Sequence, residues 1–171
     1  MILNKQKILL ETAYRSLSDF DHICPNGCIK CEHKESVVFL PGEEGFQDLD
    51  VGSHQGFNTR DGFYFLSADD HHCTFFNNSK CEIYSERPID CRMFPLYPVF
   101  DIEANTVEIG TSDKYCPIVD NIPDDFIIAV ISVCNLISKN VSNKWKFLYN
   151  EMNSKALQNN RARPILETGQ I

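Results

Sequence analysis

Of the eight cysteines in this chain of 171 residues, seven lie between positions 24 and 116. The tightest group is Cys24-x3-Cys28-x2-Cys31, on a segment that also holds Pro25, Asn26 and Gly27. Asn and Gly tolerate positive φ, so this is turn chemistry, and it lets several thiolates converge on one point. Thiolate is a soft donor that suits zinc and iron–sulfur clusters, both of which accept four sulfur ligands in a tetrahedral arrangement. Four more thiols follow at wide spacing: Cys73, Cys81, Cys91 and Cys116. Such a set can hold a single zinc ion or [4Fe–4S] cluster with some thiols left around it, or it can be divided between two centres. A structural zinc module usually pairs two C-x2-C knuckles. No second knuckle is present here, and the wide spacing favours iron–sulfur. Cys134 stands apart in an apolar stretch and reads as a small core residue.

Arg87 and Arg92 bracket Cys91. The step from Arg87 to Pro88 holds the arginine backbone extended, and a guanidinium beside Cys91 favours its thiolate. Two such groups would offset the negative charge of a multi-thiolate centre and donate hydrogen bonds that tune it. They are also the candidates for contacting a substrate. Pairing with carboxylates is the alternative reading of both. His22, His33, His54, His71 and His72 can each complete a metal shell, but are expected to be exposed or structural. Tyr84, Phe94 and Leu96 are expected to pack around the site.

An even cysteine count also invites disulfides, which belong to oxidising compartments. The N-terminal apolar run Ile8-Leu9-Leu10 ends at Glu11, unlike a signal peptide. The stretch from Phe126 to Ile137 is too short to span a bilayer. The expectation is therefore a cytoplasmic protein with reduced thiols and no membrane contact. Sixteen basic against 24 acidic residues give a net charge of −8. That excludes a nucleic-acid partner, because phosphate neutralisation needs surplus Lys and Arg. Residues 139–163 reverse the balance, with six basic residues against Glu151 alone. A solvated helix face is the expected explanation, with an acidic partner as the alternative.

The elements that must position these groups can be read from periodicity. Residues 4–19 predict an amphipathic helix, with Ile8, Leu9, Ala13, Tyr14 and Leu17 on its apolar face. Ser36–Leu40 predicts a strand stopped by Pro41-Gly42, and Phe63–Leu66 a second strand. Glu43 to Asp61 predicts a long loop. Tyr97–Asp101 and Thr106–Ile109 predict a hairpin turned through Ile102 to Asn105, with Pro98 on an edge. Pro123-Asp124-Asp125 opens a helix running to about Lys139, apolar on most sides and so central. Lys144 to Leu157 predicts a last helix. The fold class expected is α+β: a small antiparallel sheet with a cysteine-rich loop metal site, flanked by N- and C-terminal helices. One domain would cover residues 1–160, with a motif core over 24–116 and C-terminal helices over 123–158. Residues 161–171 would form a flexible tail.

The string Cys73-x7-Cys81-Glu-Ile-Tyr84-x2-Arg87-Pro88-x2-Cys91-Arg92-x-Phe94-Pro95 resembles the signature of the YkgJ-type cysteine-cluster family, whose members include the flagellin lysine N-methylase. In that family an N-terminal cysteine cluster is followed by a strand and an acidic residue, then by this segment and a later cysteine. The resemblance covers Cys24 to Cys116. Many members end the first cluster with adjacent cysteines, whereas Glu32 follows Cys31 here. The resemblance implies zinc or iron chelation by Cys24, Cys28, Cys31, Cys73, Cys81, Cys91 and Cys116. It also implies an enzyme that modifies a protein or a small molecule, using S-adenosylmethionine. The triplet spacing matches that of radical S-adenosylmethionine enzymes too, but their barrel needs a much longer chain of alternating strands and helices. The competing expectation is a non-catalytic zinc- or iron-binding module that serves structure or metal delivery.

Overall fold

Leu9, Leu10, Ala13 and Leu17 recur at helical spacing, and in a computed structural model of the chain they form the buried face of α1 (Ile2–Ser18). The structure describes residues 2–21, 23, 36–43, 57–60, 63–67, 73, 75–78, 80–111 and 116–159. Ile8, expected on the buried face, is 57% exposed, and Leu10 takes its place. Leu9, Ala13 and Leu17 stay on the buried face as expected, so only one edge of the stripe is exchanged for the other.

β1 (Ser36–Val38), β2 (Phe57–Arg60) and β3 (Phe63–Ser67) form an antiparallel sheet with β3 in the middle. Val37 pairs with Leu66, and Asn58 with Phe65. β2 lies inside the segment expected to be a loop. Its register sets Arg60 opposite Phe63. Only four residues long, with Phe57 its one apolar residue, β2 gives a weak period-two pattern.

The second cysteine region adds a short ribbon, β4 (Phe76–Asn77) with β5 (Lys80–Cys81), and one short helix, α2 (Ile89–Met93). β6 (Leu96–Asp101) and β7 (Thr106–Thr111) form the expected hairpin. Its turn is held by Asp101 Oδ1, which accepts from the Ala104 N–H at 2.9 Å, and by Asn105 at φ 53°, a left-handed position that Asn tolerates. β6 is an edge strand. The outward N–H and C=O of Phe100 go to the Asn150 side chain, at 3.1 and 2.7 Å. Pro98, two residues earlier, faces the same edge, where its missing N–H costs no ladder bond. Opposite Tyr97, Gly110 leaves room for the ring: a Cβ there would lie 2.7 Å from it.

A 3-10 turn (Val119–Asn121) leads to α3 (Asp124–Asn140), whose first turn carries Asp124 and Asp125 at the positive end of the helix dipole. α3 buries Phe126, Val130, Val133, Cys134 and Ile137 against α1 and the β6–β7 hairpin. It is less enclosed than expected, since Ile128 is exposed. α4 (Asn143–Asn159) starts where Ser142 Oγ accepts from the Trp145 N–H at 3.2 Å, an N-cap bond. Trp145 stacks on Tyr149 at 5.0 Å, and Phe100 meets both rings edge-on. Burying aromatics of this size contributes several kcal/mol in all, of order 1.5–3 kcal/mol for each large side chain.

The basic stretch is not wholly a solvated face. Lys146 is 2% exposed, its stem packed inside and its Nζ donating to Asn105 Oδ1 at 2.9 Å. A long aliphatic stem can be buried while its charged tip finds an acceptor. The fold class is α+β, with the sheet divided among three small antiparallel units among the described residues. No helix among those residues is long and apolar enough to cross a membrane. The proposed tail, 161–171, lies outside the described residues.

Candidate metal centre

The second cysteine region is shaped by turns. The Phe76 N–H donates to the Cys73 carbonyl at 2.9 Å, and the Glu82 N–H to the Phe75 carbonyl at 2.8 Å. Asn78, at φ 47°, carries the chain around, and Cys81 comes to stand opposite Phe76. The ribbon thus brings the Cys73 and Cys81 thiols within electrostatic reach of each other. Burial pushes the Cys81 thiol up. The Ile83 N–H and the Arg87 guanidinium pull it down, while Cys73 and Glu82 push it further up. A thiolate is the ligating form, and the cation and the N–H donor at this sulfur offset part of the burial that disfavours it.

Cys91 is the third residue of α2, and α2 has five residues, too few to persist alone. It is fixed by Glu43. Pro41 and Gly42 make the turn that returns Glu43 towards Leu40, with Gly42 at φ 83° and the Glu43 N–H donating to the Leu40 carbonyl at 2.9 Å. Positive φ at the third residue, after proline, is what a type II turn requires. The Glu43 carboxylate is then fully buried. Oε2 accepts from the Leu40 N–H, and Oε1 accepts from both the Ile89 N–H and the Tyr14 hydroxyl, all at 2.7 Å. One side chain thereby ties α1, the end of β1 and the first residue of α2. Burial pushes the Glu43 carboxyl up to about 7, against the pull of those three donors. Asp90, next along α2, accepts from the Val38 N–H at 3.2 Å and the Tyr149 hydroxyl at 2.7 Å. Cys91 itself is half-buried and close enough to Tyr149 for the two to interact electrostatically.

Arg87 and Arg92 are both buried. Arg92 donates from Nε to the Arg87 carbonyl at 2.9 Å and from a terminal nitrogen to the Ser85 carbonyl. Its other terminal nitrogen reaches Asp21 Oδ1 at 2.7 Å, and its plane lies over Tyr14 at 4.9 Å. Arg87 donates to the Tyr84 carbonyl at 2.9 Å, stacks on the Tyr84 ring at 3.7 Å and reaches the same Asp21 oxygen at 3.3 Å. Both guanidiniums are thus paired with a carboxylate, and Arg87 also lies within electrostatic reach of Cys81. Tyr84 is a stacking platform at the surface rather than buried packing, and its hydroxyl donates to the Asp21 carbonyl.

Cys116 is buried, and its carbonyl accepts from the Val119 N–H at 3.2 Å. Cys134 is in the core and donates to Met93 Sδ at 3.6 Å; burial and the nearby Asp90 push its thiol up. None of the five described cysteines is half of a disulfide. Cys24, Cys28, Cys31 and the five histidines lie outside the described residues. Among the described residues, no three His, Cys, Asp or Glu side chains form a ligand group.

The family model named CxxCxxCC, described as "Putative zinc- or iron-chelating domain", matches residues 23–117, more than half of the chain. The chain belongs to this family. The match begins one residue before Cys24 and ends one after Cys116, so it encloses the seven clustered cysteines and leaves Cys134 outside. No curated protein and no solved structure matches the chain. Metal binding is accordingly its coarse function. The donor chemistry fits either metal: paired thiols at Cys73 and Cys81, with a guanidinium and an N–H at hand to offset thiolate charge.

Three residues that the sequence did not single out organise this region: Asp21, Glu43 and Asp90. Glu43 had a signal, since a cysteine cluster, a strand and an acidic residue are the family's order. Asp21 and Asp90 had none, being single acids whose partners lie far along the chain.

Proposed function

We propose that the chain is an iron–sulfur protein in which Cys24, Cys28 and Cys31, with thiols from Cys73, Cys81, Cys91 and Cys116, hold a [4Fe–4S] cluster. The observation that carries the reading is the buried guanidinium of Arg87 beside the Cys81–Cys73 pair. A cluster with four thiolates is anionic, and a buried cation next to its ligands lowers the cost of holding that charge away from water. A zinc ion held by four thiolates carries a similar charge, so Arg87 supports a thiolate-rich centre, and the wide spacing of Cys73, Cys81, Cys91 and Cys116 is what favours the cluster. The cluster, when bound, supplies electron transfer or an open iron. The proposed activity is modification of a protein or a small molecule with S-adenosylmethionine, with Arg87 and Arg92 on the substrate side of the centre. A reducing, cytoplasmic setting suits the thiols.

The second reading is a non-catalytic zinc- or iron-binding module for structure or delivery. It is supported by the short ribbon that sets Cys81 opposite Phe76, with Cys73 just before it and within electrostatic reach, a compact scaffold that a structural zinc ion also suits. Anaerobic purification separates the two. Brown protein containing iron and acid-labile sulfide, and binding S-adenosylmethionine by calorimetry, is the expected result. Colourless protein with stoichiometric zinc overturns it in favour of the module.

A further inference from the structure

Asp21 lies three residues before Cys24 and outside the family match. It makes three bonds to the stretch between Cys81 and Arg92. Its Oδ1 accepts from Arg92 at 2.7 Å and from Arg87 at 3.3 Å, and its main-chain carbonyl accepts from the Tyr84 hydroxyl. The flanking residues are held separately. Phe20 meets the Phe126 ring of α3 at 5.2 Å, and Ile23, whose N–H donates to the Phe20 carbonyl at 3.0 Å, packs against the core. The stem of the first cysteine segment is therefore seated on the core by its apolar residues, and joined to the second cysteine region by Asp21.

We propose that Asp21 is a positioning residue for the metal centre: by binding Arg87 and Arg92 together it sets the stem of the Cys24–Cys28–Cys31 segment against the stretch that carries Cys81 and Cys91. The proposal rests on the metal-binding reading. Each arginine has other anchors that persist without Asp21. Arg92 keeps the Arg87 and Ser85 carbonyls, and Arg87 keeps the Tyr84 carbonyl and ring. The loop over residues 84–92 thus stays formed, and what is lost is the charged join between the two cysteine segments, leaving only the Tyr84 hydroxyl on the Asp21 main-chain carbonyl. A purely electrostatic role makes the opposite forecast, because more positive charge beside the thiols favours thiolates and strengthens metal capture.

The test uses the full chain, prepared metal-free without oxygen and titrated with cobalt(II) against a competing chelator. Thiolate-to-cobalt absorption reports the ligands, and the ligand-field bands report their geometry. Asp21→Asn is expected to weaken cobalt binding by about tenfold or more, the usual effect of losing a group that orients ligands. Its ligand-field bands should be altered, while the metal-free protein still melts cooperatively. Asp21→Glu, which keeps the charge but lengthens the reach, should fall between the two. Wild-type affinity and bands in Asp21→Asn, or tighter binding, overturn the proposal. Should Asp21→Asn fail to fold, Asp21→Glu decides: weakened binding with altered bands supports positioning, and wild-type behaviour overturns it. A wild-type chain that gives no thiolate–cobalt absorption overturns the metal-binding reading itself, and this proposal with it.

Discussion

On one side of α2, Glu43 and Asp90 accept hydrogen bonds from two tyrosines and three backbone amides, both acids buried. On the other side, Arg87 and Arg92 share one oxygen of Asp21, whose side chain is 40% exposed. The first network joins acceptors to neutral donors in the core, and the second joins full charges at the edge of water. Desolvation separates them. A buried acceptor that disappears leaves donors with no alternative partner, whereas water can replace a half-exposed one. The carboxylate side thus fixes where α2 stands, and the arginine side joins Asp21, at the end of α1, to the stretch before and within α2.

The largest expected effect tests the carboxylate side. Glu43→Ala strips the Leu40 and Ile89 amides and the Tyr14 hydroxyl of their acceptor at once. It should destabilise the protein by about 4 kcal/mol, measured by denaturant unfolding of the metal-free chain. A loss under about 1 kcal/mol would erase the distinction between the two networks.

Next in size is a pH effect that belongs to the carboxylate side. Glu43 is raised from 4.5 to about 7. Between those values the folded chain holds a proton that the unfolded chain has released. Stability therefore falls as pH rises through that interval, and this group contributes about 3 kcal/mol of the fall. Unfolding of metal-free protein at a series of pH values should show the decline, and Glu43→Gln should flatten it. An equal slope in both proteins removes Glu43 as its source.

The finest comparison deletes one phenolic hydroxyl on each side. Tyr149→Phe removes the buried bond to Asp90 and should cost roughly 1–3 kcal/mol. Tyr84→Phe removes the exposed bond to the Asp21 carbonyl and should cost about 0.5 kcal/mol or less. Paired thermal melts rank them, and a larger loss at Tyr84 reverses the comparison.

What the sequence disclosed follows the range of the forces involved. α1, the β6–β7 hairpin, α3 and α4 are built from local periodicity and local turn chemistry, and all four were legible to within a few residues. The cysteines stood out as a candidate metal region by type and spacing alone, and the family match spans the seven clustered ones. The networks that seat them were not, because Asp21 meets its arginines across 66 and 71 residues, and Glu43 meets Ile89 across 46. Nothing in a single acid announces such a partner. Lys146 misled for a related reason: composition marks a lysine as solvated, and only the position of Asn105 at the hairpin tip explains its burial.

Cys134 has a consequence for handling this protein in the laboratory. A thiol reacts as its thiolate, and the sulfur of Cys134 is enclosed, raised in pKa and turned towards Met93. Alkylating reagents and oxidants therefore reach it only when α3 parts from the core. Its rate of modification is a clock for global opening, against which the half-buried Cys73, Cys81 and Cys91 can be compared. The chain carries its own reference sulfur.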